Sequence, residues 1–398
     1  MGGASKKQTE SKFQQFITNL SVRLRIMVLV LVPLAGIVML GFLELHSEYK
    51  LETQSKQSMM FAISITPLSN LINEVQKERG YSAGYIASGG TRFSSELTAQ
   101  RQNTDAALAK YRTHLSMLQK MYMNQGIDRQ LVRSLTNFDR LPVIRSQVGD
   151  KSLAKADMLK FYTGAVTQLL TIIDMQMTFA SNQELADQIR GLVSIMKAKE
   201  MAGLERASGA AAFATGQINK ADYAKFVSLV EIQEIMLGEF VKSVNEDMVA
   251  FYSKTMADPV VETVQSYRDV LSKAPYDKSL ENVSGKEWFD ATTRRIGLLN
   301  QVAEAVIAQV ISTSKAVEAD NLRQLQAMAV VVASILLITI ILAFIVVRSI
   351  TRPVNRLTAT MDKLADGKYD IEVAGTENGD ELGKMARAVE VFRQNGLK

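Results

Sequence analysis

The chain has 398 residues, a formal net charge of +5 and no cysteine. Without cysteine, disulfides, thiolate metal sites and cysteine nucleophiles are excluded. The charge is mild and no dense lysine and arginine block with interleaved aromatics occurs, so nucleic-acid binding is not expected. With two histidines, no Walker loop and no nucleophile elbow, the composition favours neither an enzyme nor a metal or cofactor site.

The first predicted element is a membrane-spanning helix over residues 26–43, which carry no charge. A run of this length is sufficient to cross the hydrocarbon core of a bilayer. A cleaved signal peptide is the alternative, but the run is preceded by residues 1–25 and lacks a small-x-small cleavage site. We therefore expect an N-terminal segment over 1–25, followed by a retained anchor.

The long middle region, residues 44–326, has apolar residues at intervals of three and four almost throughout. Such spacing is typical of helices, and the period-2 alternation of strands is absent. The pattern predicts an all-α bundle between two membrane helices. The longest predicted helices are 51–88, 95–123, 155–212, 220–256 and 285–325.

The stretch ERGYSAGYIASGG at 78–90 places Arg79 among unusually small residues of a predicted helix. Glycine inside a helix costs about 1 kcal/mol relative to alanine, so the stretch indicates close packing. It aligns without a gap with ERASGAAAFATGQ at 205–217, where Arg206 takes the place of Arg79. The repeat predicts two related helical halves, each presenting one arginine from an equivalent helix.

Small residues around each arginine let neighbouring helices approach and leave the guanidinium in a poorly hydrated space. An arginine there requires an anion, because an uncompensated buried charge is costly, and its planar fork of donors suits a planar oxyanion. Pairing with a glutamate of the bundle stays open, although Glu78 and Glu205 point about 100° away from the arginines that follow them. The predicted ligand-binding residues are Arg79, Gly80, Ser82, Arg206 and Gly209.

At these motifs the chain resembles the nitrate- and nitrite-sensing (NIT) domain family. The resemblance extends over about residues 50–320 and includes Tyr162-Thr163 and the segment from Trp288 to Ile296. The family is a helical extracytoplasmic or regulatory module that binds nitrate or nitrite through one arginine from each motif helix. The resemblance therefore implies that Arg79 and Arg206 contact the anion. It does not separate nitrate from nitrite, since both are planar and singly charged.

A second uncharged run, residues 327–347, predicts another membrane helix, and no glycine or proline between Thr313 and Ala333 separates it from the helix before it. Basic residues flank the outer ends of the two spans, whereas acidic residues flank the region between them. The basic residues are Lys6, Lys7, Lys12, Arg23, Arg25, Arg348, Arg352 and Arg356, and the acidic ones are Glu44, Glu48, Glu318 and Asp320. The positive-inside rule then predicts a two-pass inner-membrane protein with both termini cytoplasmic and residues 44–326 periplasmic.

Residues 348–398 contain two heptad-patterned segments joined by a polar connector with glycines. Each segment has one apolar stripe that it cannot bury alone, so a parallel four-helix bundle formed by a homodimer is expected. With Pro353 and the sequence Asp380-Glu381-Leu382-Gly383, the segment resembles a HAMP linker domain. This resemblance implies a signal passed from outside to inside, with Pro353, Glu381 and Gly383 as the expected relay residues.

The expected function is a transmembrane chemoreceptor that binds nitrate or nitrite and acts on cytoplasmic signalling partners through HAMP. The chain stops where an output domain should begin, so we expect a truncated methyl-accepting chemotaxis protein; a sensor histidine kinase or cyclic-dinucleotide enzyme is the alternative parent. A receptor for an amino acid or carboxylate would use the same arginines. Its larger pocket would be lined by Tyr81, Tyr85, Tyr111 or Trp288. A purely structural dimerisation domain is the third possibility.

Overall fold

The computed structural model describes residues 21–122, 135–277, 280 and 283–397. These residues form helices and connectors with no β-strand among them, which confirms the all-α prediction. Of the predicted N-terminal segment 1–25, residues 1–20 lie outside the described part. The chain divides into two compact units, which we call the bundle unit (Lys50–Leu322) and the span unit (Met1–Tyr49 with Arg323–Lys398).

Two very long helices contain the apolar runs. Helices α1 (Val22–Ala87) and α9 (Gly285–Ala365) each pass without interruption through one run, which confirms the predicted continuity. The predicted span limits 26–43 and 327–347 stay predictions. Short 3-10 turns lie at Asn137–Arg140 and Gln176–Phe179. The helices are α1 Val22–Ala87, α2 Ser94–Tyr122, α3 Leu141–Gly149, α4 Lys155–Met175, α5 Gln183–Thr215, α6 Lys220–Ser243, α7 Glu246–Thr255, α8 Pro259–Asp277, α9 Gly285–Ala365 and α10 Glu381–Gly396.

Two helices predicted as continuous are interrupted in the structure. The predicted helix 155–212 is divided into α4 and α5, and the predicted helix 220–256 into α6 and α7. At both breaks an asparagine, Asn182 or Asn245, has extended backbone, and its side chain accepts a hydrogen bond from the backbone N–H three residues later. Such a cap satisfies a donor that the start of a helix leaves unpaired. The apolar spacing continues across these breaks, so it predicted one helix where there are two.

The bundle unit contains a large and a small apolar core. The large core combines α1 to α5 with the middle of α9, and Ile65, Leu169 and Leu192 are completely buried in it. The small core surrounds Trp288 at the start of α9 and includes Phe213 of α5 together with residues of α6 and α8. Helix α5 contributes to both cores and therefore connects the two halves that the repeat predicted.

In the span unit, the side chains of both apolar runs point outward. Several large apolar side chains in both runs are more than 60% exposed, as expected of side chains that contact lipid. Examples are Leu29, Val32, Val330 and Phe344. The two helices meet at Gly41, where an added Cβ would lie 2.8 Å from Cγ1 of Val332. Glycine at this position therefore permits a close approach of the two apolar helices.

The last part of the span unit packs α10 against the end of α9. Val373 of the connector and Ala386 of α10 are buried with Leu357 of α9. Gly383 is required here because an added Cβ would lie 1.9 Å from the carbonyl oxygen of Asn378. Asp380 accepts from the Gly383 backbone N–H at 2.8 Å and caps α10. Three other apolar residues of the heptad pattern remain exposed: Met361, Met385 and Phe392 are 39%, 52% and 54% exposed.

Replacement of the Asn182 cap should destabilise the bundle unit. We expect Asn182→Ala to cost about 1 kcal/mol, because the Leu185 N–H loses its acceptor. The melting temperature of the full chain in detergent, followed by circular dichroism, should fall by about 2 °C. Asn182→Asp keeps an acceptor oxygen and should melt near the wild-type temperature; an equal loss in both variants would contradict the capping role.

Candidate functional site

The two motif arginines lie at one crossing of α1 and α5. An added Cβ on Gly203 of α5 would lie 3.4 Å from Nη2 of Arg79, and one on Gly80 of α1 would lie 3.8 Å from Nη2 of Arg206. Each guanidinium therefore reaches the backbone of the opposite helix. The positive charge of Arg79 also contributes to a lowered pKa of Arg206. The repeat thus brings its two arginines together in space.

Arg79 is neutralised by a buried carboxylate. It is 5% exposed, and Glu200 of α5 is 1% exposed. Arg79 Nη1 donates to one oxygen of Glu200, and Nη2 donates to the other at 3.0 Å. Nη1 also donates to Thr163 Oγ1 at 2.9 Å, and Gln76 Nε2 donates to Glu200 at 2.7 Å. The pairing with an internal glutamate, left open by the sequence, is therefore present for Arg79.

Arg206 differs, because no carboxylate in the described part of the chain pairs with it. Its Nη1 donates to Thr293 Oγ1 at 2.9 Å, and its guanidinium lies over the Phe289 ring at 4.8 Å from the centroid. Burial, and next the charge of Arg79, lower the pKa of Arg206 to about 10, so it stays cationic at neutral pH. The crossing therefore contains two guanidinium groups and one carboxylate.

The glutamates that precede the motif arginines belong to separate buried networks. Arg145 donates to Glu78 through Nε at 2.8 Å and Nη2 at 2.9 Å, and the Tyr162 hydroxyl donates to Glu78 at 2.7 Å. Burial raises the pKa of Glu78, but the hydrogen bonds and charge of Arg145 outweigh it, and the net pKa is lowered. In the second half, Arg268 donates to Glu205 through Nε at 2.7 Å and Nη2 at 2.8 Å. Neither glutamate neutralises the arginine beside it.

The partner arginines were missed by the sequence reasoning. Arg145 lies 67 residues after Glu78, and Arg268 lies 63 residues after Glu205, outside any motif. Their own separation, 268 − 145 = 123 residues, is close to the motif spacing of 205 − 78 = 127 residues. A comparison of the two halves that allows a shift of four residues after the motif pairs Arg145 with Arg268, and this was the signal that could have found them.

The other predicted site residues lie around the arginines rather than all at one point. Gly80 faces Arg206, as described. Ser82 is completely buried beside Tyr162, whose hydroxyl pKa is raised by burial and by Glu78. The Ser82 hydroxyl has no hydrogen-bond partner among the described residues. An added Cβ on Gly209 would lie 2.4 Å from Cε2 of Trp288. Ser82 therefore lies next to the Glu78 network and Gly209 packs against Trp288, and the ligand-binding assignment of both stays a prediction.

Trp288 fixes the backbone that carries Arg206. Its Nε1 donates to the Arg206 carbonyl oxygen at 2.9 Å, which is possible because Gly209 leaves room for the indole. Together with Thr293 and Phe289, this bond gives Arg206 three contacts with the first turns of α9. The second arginine is therefore attached to the helix that contains the second apolar run.

A further buried cation, Lys199, precedes Glu200 on α5. It is 2% exposed, and its Nζ donates to Oδ1 of Asn73 and, at 2.9 Å, to Oδ1 of Asn300. Burial lowers the pKa of Lys199 to about 8, while the charges of Glu200 and Glu304 act in the opposite direction. No motif marks this lysine, and it was not predicted.

The predicted relay residues lie in the span unit. Pro353 is inside α9 and partly exposed, Glu381 is exposed at the first position of α10, and Gly383 packs on the connector. Among the described residues no group of three or more His, Asp or Glu side chains is arranged to hold a metal ion.

A matched pair of helix glycines tests the Trp288 contact. Gly209→Ala should destabilise the chain by about 1–3 kcal/mol, because the methyl group collides with the indole. Gly297→Ala should instead stabilise it by about 0.5–1 kcal/mol, since nothing lies within 4 Å of the added Cβ. Thermal unfolding of the full chain checks both. Equal shifts of the same sign would contradict the packing role of Gly209.

Two family models match this chain, and their matches cover the two arginine motifs and the HAMP-like segment. The model of the family described as "Nitrate and nitrite sensing" matches residues 70–311, and that of the HAMP domain matches residues 345–396. A solved structure, "Structure of the NasR transcription antiterminator", has a TM-score of 0.59 at 20% identity and covers 90% of this chain and 95% of that one. This likeness shows a shared fold.

Curated relatives match over parts of their length. The "Nitrate regulatory protein" of Klebsiella oxytoca is 24% identical over 249 residues, which are 63% of this chain and 62% of that protein. "Probable chemoreceptor y4sI" of Sinorhizobium fredii is 39% identical over 67 residues, 17% of this chain and 9% of that protein. "Chemoreceptor McpA" of Caulobacter vibrioides is 28% identical over 175 residues, 38% of this chain and 25% of that protein. The chain thus spans less than two thirds of each relative.

Proposed function

The chain belongs to the nitrate and nitrite sensing family, and from this we propose that it is a transmembrane chemoreceptor that binds nitrate or nitrite between Arg79 and Arg206. The families matched by its two domains are sensor and linker families rather than enzymes. The chemoreceptor relatives and the two helices long and apolar enough to cross a membrane support the receptor assignment.

The observation that carries this proposal is the uncompensated charge at Arg206. A partly buried guanidinium beside a second one is electrostatically unfavourable, and a bound anion relieves that repulsion. Nη1 of Arg206 donates a hydrogen bond to Thr293. The Nε and Nη2 groups can therefore donate hydrogen bonds to an incoming oxyanion. A planar oxyanion matches this fork of donors. Gly80 and Gly203 have no side chain between the two helices, so each guanidinium comes close to the backbone of the opposite helix.

The aromatic residues expected to line a larger organic pocket support the small anion instead. Tyr111 and Trp288 are completely buried in the large and the small core, where they pack against apolar neighbours. The aromatic side chains beside Arg206 are Phe289, whose ring its guanidinium covers, and Tyr81, which is near enough to affect the pKa of Arg206. Tyr111 and Trp288 therefore belong to the cores and do not line a larger organic pocket.

Signal transmission is proposed to use α9. An anion that draws Arg206 towards Arg79 pulls on the contacts of Arg206 with Trp288, Phe289 and Thr293. These residues begin a helix that runs from Gly285 to Ala365, so a displacement at its start is carried along the same element. The HAMP segment that follows the apolar run would then pass it to cytoplasmic signalling partners.

The proposed arrangement is a homodimer in the inner membrane. The first apolar run, 26–43, and the second, 327–347, cross the bilayer, residues 44–326 are periplasmic, and residues 348–398 form the cytoplasmic HAMP domain. The exposed Met361, Met385 and Phe392 support the dimer, because a partner chain would bury these heptad positions in a four-helix bundle.

Removal of the Arg206 charge should abolish anion binding. Arg206→Met keeps an apolar stem against Phe289 and leaves no buried carboxylate unpaired. We expect nitrate and nitrite affinity, measured by calorimetry on the full chain in lipid nanodiscs, to fall about 100-fold, as the loss of one or two charge-assisted hydrogen bonds implies. Arg79→Ala should also lose binding, but it strands Glu200 and should destabilise the fold as well.

The control is Arg294→Met, which removes an exposed arginine of α9 whose partner is Asp258. This variant should bind nitrate like the wild type, and neither chloride nor amino acids should compete with nitrate. Wild-type affinity in Arg206→Met would refute the site, and absence of nitrate and nitrite binding by the wild type would refute the function.

Signalling can be followed with a single introduced cysteine, because the chain has none of its own. Met361→Cys places a thiol at an exposed heptad position of α9. Nitrate should change the rate of disulfide cross-linking between two chains at least twofold in nanodiscs. The change should disappear when Arg206→Met is added, and a nitrate effect that survives in the double variant would contradict transmission through Arg206.

A further inference from the structure

The two halves of the site differ in one acidic residue. Glu200 precedes Arg206 by six positions, and the position that precedes Arg79 by six is Asn73. Glu200 is buried and accepts hydrogen bonds from Arg79 and Gln76. Asn73 is neutral, and its Oδ1 accepts from Lys199. Only one of the two related arginines is therefore paired with a carboxylate.

The remaining charged groups nearby have partners of their own. Glu78 and Glu205 are held by Arg145 and Arg268, as described above. Lys77 is an exposed cation that donates a hydrogen bond to the carboxylate of Glu74. Lys199 donates to the neutral side chains of Asn73 and Asn300. Its charge is offset by Glu304, which accepts from the Asn300 amide at 2.7 Å and whose negative charge opposes the lowering of the Lys199 pKa by burial. Apart from these groups, the crossing holds Arg79, Glu200 and Arg206, with a net charge of one positive unit.

On the basis of this count and of the proposed anion site, we propose that Glu200 determines charge selectivity: it neutralises Arg79 and leaves a site that accepts one negative charge. A monovalent anion brings the crossing to neutrality. A divalent anion leaves an uncompensated negative charge next to Glu200 in a poorly hydrated space, which is unfavourable. Arg79 and Arg206 alone would tolerate a divalent anion, and the carboxylate of Glu200 is what excludes it.

The test separates charge from shape with perchlorate and sulfate, two tetrahedral oxyanions that carry one and two charges. Nitrate, perchlorate and sulfate are titrated into the full chain in lipid nanodiscs, as wild type and as Glu200→Gln. Glutamine keeps the length of the side chain and an acceptor oxygen for Arg79. Removal of the negative charge of Glu200 changes the electrostatic binding energy of a divalent anion twice as much as that of a monovalent anion. The logarithm of sulfate affinity should therefore rise about twice as much as that of nitrate or perchlorate.

We expect the wild type to prefer nitrate over sulfate by at least about 100-fold and Glu200→Gln to reduce that preference at least about tenfold, since one uncompensated charge in a partly buried site is worth this much or more. Glu74→Gln is the matched control, because it removes a carboxylate of α1 whose partners are Lys77 and Gln100 and not the motif arginines. Its preference should equal that of the wild type.

Each outcome bears on the proposal. An equal change for sulfate and perchlorate in Glu200→Gln would assign Glu200 a bracing role and overturn the inference. A wild type that binds sulfate as tightly as nitrate overturns it without any variant, so a failure of Glu200→Gln to fold leaves it testable. Glu200→Asp, which keeps the charge, should keep the preference. If the wild type binds neither nitrate nor nitrite, the proposed function fails first and independently of Glu200.

Discussion

The arrangement of this protein depends on two like charges placed at one helix crossing. Arg79 and Arg206 come from equivalent helices of a repeated unit, and each guanidinium reaches a glycine of the opposite helix. Such a pair is unfavourable without negative charge, and within the described residues one carboxylate, that of Glu200, pairs with it. The networks around Arg145 and Arg268 satisfy the neighbouring glutamates and so hold them away from the pair. The unmet demand for a counter-ion is the reason for proposing an anion site at this crossing.

The same crossing connects ligand binding to the membrane in the proposed mechanism. Arg79 of α1 is held by Thr163 of α4 and Glu200 of α5, whereas Arg206 is held by residues of α9. An anion between them therefore joins a well-anchored element to the helix that contains the second apolar run. Lys199, which directly precedes Glu200 on α5, donates to Asn300 of α9 and so gives a second link between α5 and that helix. Coupling of this kind needs no large pocket, because a small displacement of one helix is sufficient.

Much of this organisation was predictable from local patterns, whereas the site's charge balance was not. The apolar runs, the helical spacing, the repeated motif and the HAMP segment are each contained in a continuous stretch of sequence. Glu200, in contrast, is 121 residues from Arg79 and belongs to no motif. Ser82 and Gly209 lie three residues after Arg79 and Arg206, so helical spacing places each on the face of its arginine. The spacing could not show which helices pack on those faces. The breaks at Asn182 and Asn245 were missed because a side-chain cap does not disturb apolar spacing.

A structure of the full chain with bound nitrate tests the central claim most directly. The account predicts a nitrate whose oxygens accept hydrogen bonds from the free donors of Arg206 and lie against Arg79, while Glu200 stays bonded to Arg79. It also predicts that the Glu78–Arg145 and Glu205–Arg268 pairs remain as they are. A nitrate bound elsewhere, or a Glu200 that has moved to Arg206 with no anion between the arginines, would contradict the account.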